Sequence, residues 1–300
     1  MPELPDVELY LSALRPRVIG RAIERVRVSS PFLVRTFDPP ASALEGRTVR
    51  SLSRLGKRLV WAFDDDLFAV LHLMIAGRLR WREKGFAIPA KVGLAAFDFP
   101  EATLLITEAG SRKQASLHIV RGADAVQALD PGGAEVFTLT GDAFATALRS
   151  GNHTLKRSLT DPHLFSGIGN AYSDEILHAA QLSPVKLTHS LTDDEIARLF
   201  DATQRVLQQW VERLQAETGD AFPEKVTAFR PGMAVHGRYG QPCPRCGAPV
   251  QRIVYARNEA NYCAECQTGG RLLADRALSR LLREDWPKTL EELERVKRSR

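Results

Sequence analysis

After Pro5, the apolar positions Val7, Tyr10, Leu11 and Leu14 recur at three- and four-residue steps, and Asp6 stands where a first-turn acid suits the helix dipole. The chain is therefore predicted to open with one short helix. From Ala22 to about Val120 the period shortens: AIERVRV, TVRSLSRL, RLVWAF, LFAVLHL, GRLRWR, VGLAAFDF, ATLLIT and SLHIV are β-type runs, several alternating with period two. Eight short strands predict a β-sandwich or barrel. ALDPGGAE, around Pro131 to Gly133, is a turn-rich break and the expected linker. Beyond it the pattern is helical, clearest at Ile196, Leu199, Phe200, Thr203, Leu207 and Trp210, until about Ala221 to Pro231. Gly, Pro and Cys then dominate to Gly270. Leu272, Leu273, Ala277, Leu278, Leu281 and Leu282 predict a final amphipathic helix, with Arg276, Arg280 and Arg283 on its polar side. The expected architecture is a multidomain α+β chain: a β-sandwich or barrel with its N-terminal helix over 1–130, a helical domain over 131–230, a cysteine-bearing β-hairpin over 231–270 and a basic helical extension over 271–300.

Composition adds little to this picture, since 44% hydrophobic and 26% charged residues are ordinary for a globular chain of 300 residues. The longest apolar stretch, Leu67 to Gly77, is far short of the roughly 20 residues that span a bilayer and reads as a core strand. MPELPDVELY places Glu3, Asp6 and Glu8 ahead of any hydrophobic run, the reverse of a secretion signal, so the cytosol or nucleoid is the expected compartment. Charge changes the picture by its distribution. Residues 230–300 hold fourteen Lys and Arg against eight Asp and Glu, while the whole chain carries +5, so the remainder is slightly acidic. A basic end of this kind suits a phosphate-binding surface.

All four cysteines fall in one short segment as Cys243-Pro-Arg-Cys246 and Cys263-Ala-Glu-Cys266. Two such knuckles supply four thiolates in a tetrahedron, which zinc accepts without penalty, and a segment this small needs a crosslink to stay folded. One structural Zn²⁺ is the expected cofactor; the competing reading is two disulfides or four unrelated thiols, the disulfides being disfavoured without a secretion signal. Between the knuckles Arg252 and Arg257 alternate with Ile253, Val254 and Tyr255, as in a hairpin with one basic face.

Ser166-Gly-Ile-Gly-Asn-Ala-Tyr172 sets two glycines before a predicted helix, whose N-terminal amides can face an anion. Asn170 adds a donor, and Lys156 and Arg157 lie upstream. Alone, such a turn is more often a tight turn without a ligand.

Four separated features together resemble the formamidopyrimidine-DNA glycosylase/endonuclease VIII family: Met1-Pro-Glu-Leu-Pro-Asp-Val-Glu8, Gly56-Lys57, Gly167-Ile-Gly-Asn-Ala-Tyr172, and Val235-His-Gly-Arg238 followed by the cysteines. The resemblance covers nearly the whole chain. It implies an N-terminal β-sandwich, a helix–two-turn–helix domain and a zinc finger, acting as a monomer on damaged DNA, duplex or single-stranded, with no membrane partner. It implies a glycosylase that also nicks the strand, using Pro2 as an amine nucleophile once Met1 is removed. Glu3 would move protons at the sugar ring oxygen and the departing base. Lys57 would hold a phosphate near the lesion. Lys156 and Asn170 would grip backbone phosphates, with Arg257, Arg112 and Lys91 as further DNA-binding candidates. The alternative is a damage-binding protein of the same fold with weak catalysis; a zinc-stabilised transcription factor lacks a recognisable major-groove helix.

The chain departs from the family pattern at three places. His72-Leu-Met-Ile-Ala-Gly77 puts Ile75 where a methionine wedge is usual, and Glu108 to Ser116 has no aromatic residue to fill the gap left by a flipped base. Arg112, Lys113 or Gln114 fills that gap differently, or the preferred DNA is single-stranded or already distorted. Asn258 stands where the family's lesion-contacting arginine is expected, so β-elimination is a firmer expectation than δ-elimination.

Overall fold

The computed structural model describes residues 1–110, 112–255, 258–274 and 287–298. The chain forms two compact units, Met1–Gly133 with Gln208–Ala228, and Ala134–Leu207 with Phe229–Arg300.

In the first unit the opening helix α1 spans Leu4–Val18. It is capped reciprocally: the Glu3 amide donates to Asp6 Oδ2 at 2.9 Å, and the Glu3 carboxylate accepts from the Asp6 amide. Leu4, Leu9 and Ala13 are buried as well as the predicted stripe, so α1 is covered on most sides. Each of the eight predicted runs forms a strand: β1 Arg25–Val28, β2 Val49–Leu55, β3 Arg58–Phe63, β4 Leu67–His72, β5 Gly77–Glu83, β6 Gly93–Asp98, β7 Ala102–Glu108 and β8 Ser116–Arg121. They make two antiparallel four-stranded sheets, ordered β1-β6-β7-β5 and β2-β3-β4-β8. Trp61 of β3 meets Phe97 of β6 edge to face at 6.2 Å, so the two sheets share one core, as a sandwich requires.

The apolar stretch Leu67 to Gly77 is not one strand. β4 stops at His72, Met74 takes a φ of +53°, and the Gly77 amide returns to Leu73 O at 2.9 Å. The turn needs glycine at its end, because a Cβ on Gly77 would lie 2.1 Å from Leu73 O. A short helix, α2 (Ala123–Gln127), precedes the Pro131–Gly133 break.

The second unit is helical around Phe144, which packs on Phe165 at 4.8 Å and Phe200 at 5.4 Å. Its helices are α3 Gly141–Arg149, α4 Leu155–Thr160, α5 Asn170–Ala180 and the first part of α6 Asp193–Thr218. The hairpin β9 Gln251–Tyr255 and β10 Asn258–Tyr262 follows, then α7 Ala264–Thr268. The helix expected over 272–282 runs mostly outside the described residues. Leu290–Arg298 forms helix α8, and Leu290 and Leu293 pack on a cluster of Ile253, Tyr262, Ala264 and Leu272. No helix among the described residues is long and apolar enough to cross a membrane.

Candidate functional site

In the first unit the amino terminus is drawn inward. Pro2 is buried, and Glu3 and Asp6 are 3% and 1% exposed. Burial is the main reason the terminal amine is held below its ordinary pKa; Arg78 and Lys57 push it the same way, while Glu3 and Asp6 pull it back. Those four side chains therefore all lie within electrostatic reach of the chain's first nitrogen. Lys57 occupies the two-residue turn between β2 and β3, whose first residue, Gly56, has the φ of +60° that such a tight turn demands. Burial lowers the Lys57 pKa, partly offset by Glu3. Pro2, Glu3 and Lys57, each expected from the sequence, are brought together by the fold.

Sequence reasoning misses Arg78 and His72. Arg78, Arg80 and Arg82 alternate along β5, a period-two signal of one cationic face that by itself predicts only a strand. His72 pairs with Arg58 across β3 and β4, and its pKa is pushed down to about 4 by burial, then by Arg58, Lys57 and His118. The imidazole is neutral at physiological pH, and its Nε2 has no partner among the described residues. The neighbouring Lys57 is half-buried.

Ile75 projects from the β4–β5 turn, 62% exposed, at the position where a wedge is expected. Arg112 and Lys91 are exposed in neighbouring loops: Lys113 Nζ donates to Lys91 O at 3.3 Å and also to Glu108 O. The Glu108 carboxylate accepts from the amides of Gln114 at 2.8 Å and Ala115 at 3.1 Å, which shapes the loop without an aromatic side chain.

In the second unit the glycine-rich turn leads into α5 as expected, with Gly167 at a φ of +84°. Lys156 is 4% exposed, and its ammonium donates to Asp174 and, at 2.6 Å, to Asn170 O. It braces the turn from within. Asn170 Nδ2 donates to Glu259 O at 3.0 Å, so one of its amide protons already serves β10. Asp174 also accepts from His236 Nδ1 at 2.8 Å. The buried Glu175 carboxylate accepts from the amides of Ala234, Val235 and His236 at 2.6 to 2.9 Å, yet burial still raises its pKa. The sequence does not single out these acids, because a carboxylate on an amphipathic helix reads as part of its solvated face.

The four cysteines are free thiols, and their Sγ atoms all lie within 4.8 Å of one another, Cys246 to Cys263 at 3.4 Å and Cys243 to Cys266 at 4.0 Å. Zinc–thiolate bonds of about 2.3 Å give tetrahedron edges of roughly 3.8 Å, so the set fits one zinc ion and not two disulfides. Arg252 ion-pairs with Glu259 at 3.2 Å and lies over the Tyr239 ring at 4.4 Å. Arg257 lies outside the described residues.

Three family models match in chain order: the formamidopyrimidine-DNA glycosylase N-terminal domain over residues 1–117, the formamidopyrimidine-DNA glycosylase H2TH domain over 129–220, and the zinc finger found in FPG and IleRS over 240–269. Formamidopyrimidine-DNA glycosylase of Thermus thermophilus is 34% identical over 280 residues, covering 90% of this chain and 100% of that protein. The Moorella thermoacetica enzyme of the same name is 34% identical over 275 residues, covering 84% and 94%. Among solved structures, a Lactococcus lactis formamidopyrimidine-DNA glycosylase mutant bound to Fapy-dG DNA aligns at 28% identity and TM-score 0.77, covering 89% of this chain and 100% of that one. The same species' protein in complex with abasic-site DNA aligns at 27% and 0.78, covering 89% and 99%.

Proposed function

Because this chain belongs to the formamidopyrimidine-DNA glycosylase family, and so is a DNA glycosylase and AP lyase of base excision repair that holds one structural zinc, we propose that its nucleophile is the amine of Pro2. The supporting observation is the buried amino terminus with Glu3, Lys57 and Arg78 around it. Removal of Met1 exposes a secondary amine in that setting. An ordinary α-amine, with a pKa of roughly 8, keeps an appreciable unprotonated fraction near neutrality, so its lone pair is free to attack.

The amine adds to C1′ of the damaged nucleotide as the N-glycosidic bond breaks, and the base leaves with a proton delivered through Glu3. The amine gives up its proton and the C1′–O4′ bond opens, O4′ taking a proton through Glu3, and the iminium so formed acidifies the C2′ hydrogen. Loss of that proton expels the 3′ phosphate by β-elimination and nicks the strand. Lys57, with Arg78, holds the phosphates flanking C1′. Asn170, braced by Lys156, grips the backbone from the glycine-rich turn, and Arg112, Lys91 and Arg257 complete the DNA contacts. Ile75 enters the stack where the nucleotide leaves it; extrusion costs a few kcal/mol. Zinc crosslinks the hairpin and takes no part in the chemistry.

The segments 1–130, 131–230, 231–270 and 271–300 act respectively as catalytic sandwich, helix–two-turn–helix domain, zinc finger and basic extension. The protein works as a monomer in the cytoplasm, at the nucleoid, on oxidised bases in duplex or single-stranded DNA. Borohydride trapping on an abasic oligonucleotide tests the central step: a covalent adduct forms with the wild type, is lost in Pro2→Gly and is weakened in Glu3→Gln. Absence of any adduct, with DNA binding intact and Met1 removed, would leave a damage-binding relative of the same fold.

A further inference from the structure

Asn170, Asp174 and His178 recur every fourth residue and so share one face of α5. All three meet the zinc module: Asn170 Nδ2 reaches Glu259 O at 3.0 Å, Asp174 Oδ2 meets His236 Nδ1 at 2.8 Å, and His178 Nε2 lies 3.2 Å from Cys243 Sγ. Docking alone does not ask for this. Apolar side chains would seat the module without desolvating three polar groups, so each polar pair implies a partner that needs it.

For His178 that partner is a metal ligand. Its ring is 5% exposed, and Cys243 is 2% exposed, so no water competes for the sulfur on that side. A thiolate on zinc keeps much of its negative charge and accepts hydrogen bonds readily, whereas a thiol accepts weakly. An imidazole with its proton on Nε2 meets that need; an aromatic hydrocarbon of the same size would fill the space and leave the sulfur bare.

We propose that His178 is a positioning residue of the zinc centre: its Nε2–H donates to the Cys243 thiolate, drawing charge from that sulfur and tying the metal site to the helix that begins at Asn170. His178 touches neither DNA nor any reacting atom, and the inference stands independently of the Pro2 chemistry.

Full-length, zinc-loaded protein is compared with His178→Phe, which fills the space without a donor, and His178→Gln, which restores an N–H. The Phe variant is expected to release zinc to a colorimetric chelator about 10- to 100-fold faster, the usual effect of losing an outer partner of a ligand. With cobalt in place of zinc, its thiolate-to-metal charge-transfer band should move to longer wavelength, because a sulfur without its hydrogen bond donates more readily. Gln should move both readings back toward the wild type. A Phe variant with wild-type release rate and spectrum overturns the proposal, as would Gln behaving like Phe. Should Phe fail to fold, the cadmium-loaded wild type decides: scalar coupling between the metal and a slowly exchanging His178 Nε2 proton is expected, and a ring protonated only at Nδ1 refutes the assignment.

Discussion

Arg54 Nε donates to Glu8 Oε1 at 3.1 Å, and the same guanidinium reaches Gly56 O at 3.0 Å. One side chain, 6% exposed, thus fastens the turn that carries Lys57 to the helix that Glu3 caps. Arg54→Met leaves Glu8 with no such partner and frees the turn. The expected cost is about 2 kcal/mol, below that of a fully buried pair because Glu8 retains some exposure. Single-turnover borohydride trapping should slow about tenfold as Lys57 and the amine lose register, an effect of roughly 1.4 kcal/mol on the barrier. A variant with lowered Tm and unchanged trapping rate would reduce the bridge to a structural role.

His72 makes the fold sensitive to acid. Its folded-state pKa of about 4 lies below the value near 6.5 of an unfolded histidine, so the unfolded chain takes up the proton first as pH falls. Its contribution to stability is complete above pH 6.5 and declines progressively toward pH 4. Urea denaturation at about pH 7 and about pH 5 should show a smaller loss for His72→Gln than for the wild type. Parallel losses would place the acid sensitivity elsewhere.

The segment after α6 is fastened twice. Phe222 lies against Trp81 at 6.0 Å and Tyr10 at 6.1 Å, and the Glu224 carboxylate accepts from Arg82 at 2.7 and 3.0 Å and from Arg80 at 3.0 Å. Phe222→Ala should cost about 2 kcal/mol, less than a fully buried phenylalanine, and speed amide exchange across residues 219–228. Glu224→Gln, at a half-exposed ion pair, should cost about 1 kcal/mol or less and only at low salt. Equal effects of the two changes would mean that charge, not the ring, holds the segment.

What the sequence made legible was local. Two CxxC knuckles constrain each other within one hairpin, and eight short β-type runs, several of them alternating, mark the strands, so Cys243, Cys246, Cys263 and Cys266 and a two-sheet or barrel domain could be read directly, the choice of a sandwich coming from the family resemblance. Arg78, His72 and Asp174 could not, since each acquires its role from a neighbour far along the chain: the amino terminus, Lys57, and the pair Lys156 and His236. Lys156 shows the same limit in reverse. As a basic residue before a glycine turn it reads as a phosphate ligand, and only the fold reveals that its ammonium faces Asp174 and the Asn170 carbonyl.

Two adjoining cores divide the hairpin, and only one contains the metal ligands. Cys243 and Cys263 pack with Val235 and Val250, where the Cys243 amide donates to Ala248 O at 2.8 Å and the Gly247 amide to Cys243 O at 2.9 Å. Ile253, Tyr262, Ala264 and Leu272 form the other, covered by Leu290 and Leu293, with the Leu273 amide donating to the Tyr262 hydroxyl at 2.8 Å and the Leu272 amide to Lys288 O at 2.8 Å. Chelation should therefore release the Cys243 and Gly247 amides to exchange while those of Ile253, Ala260 and Tyr262 stay protected. Leu293→Ser, which removes apolar cover at a cost of about 1 to 3 kcal/mol, should make protection of that second group depend on zinc as well. If chelation of the wild type exposes all five amides together, the C-terminal helix lends the hairpin no stability of its own, and zinc alone holds the module.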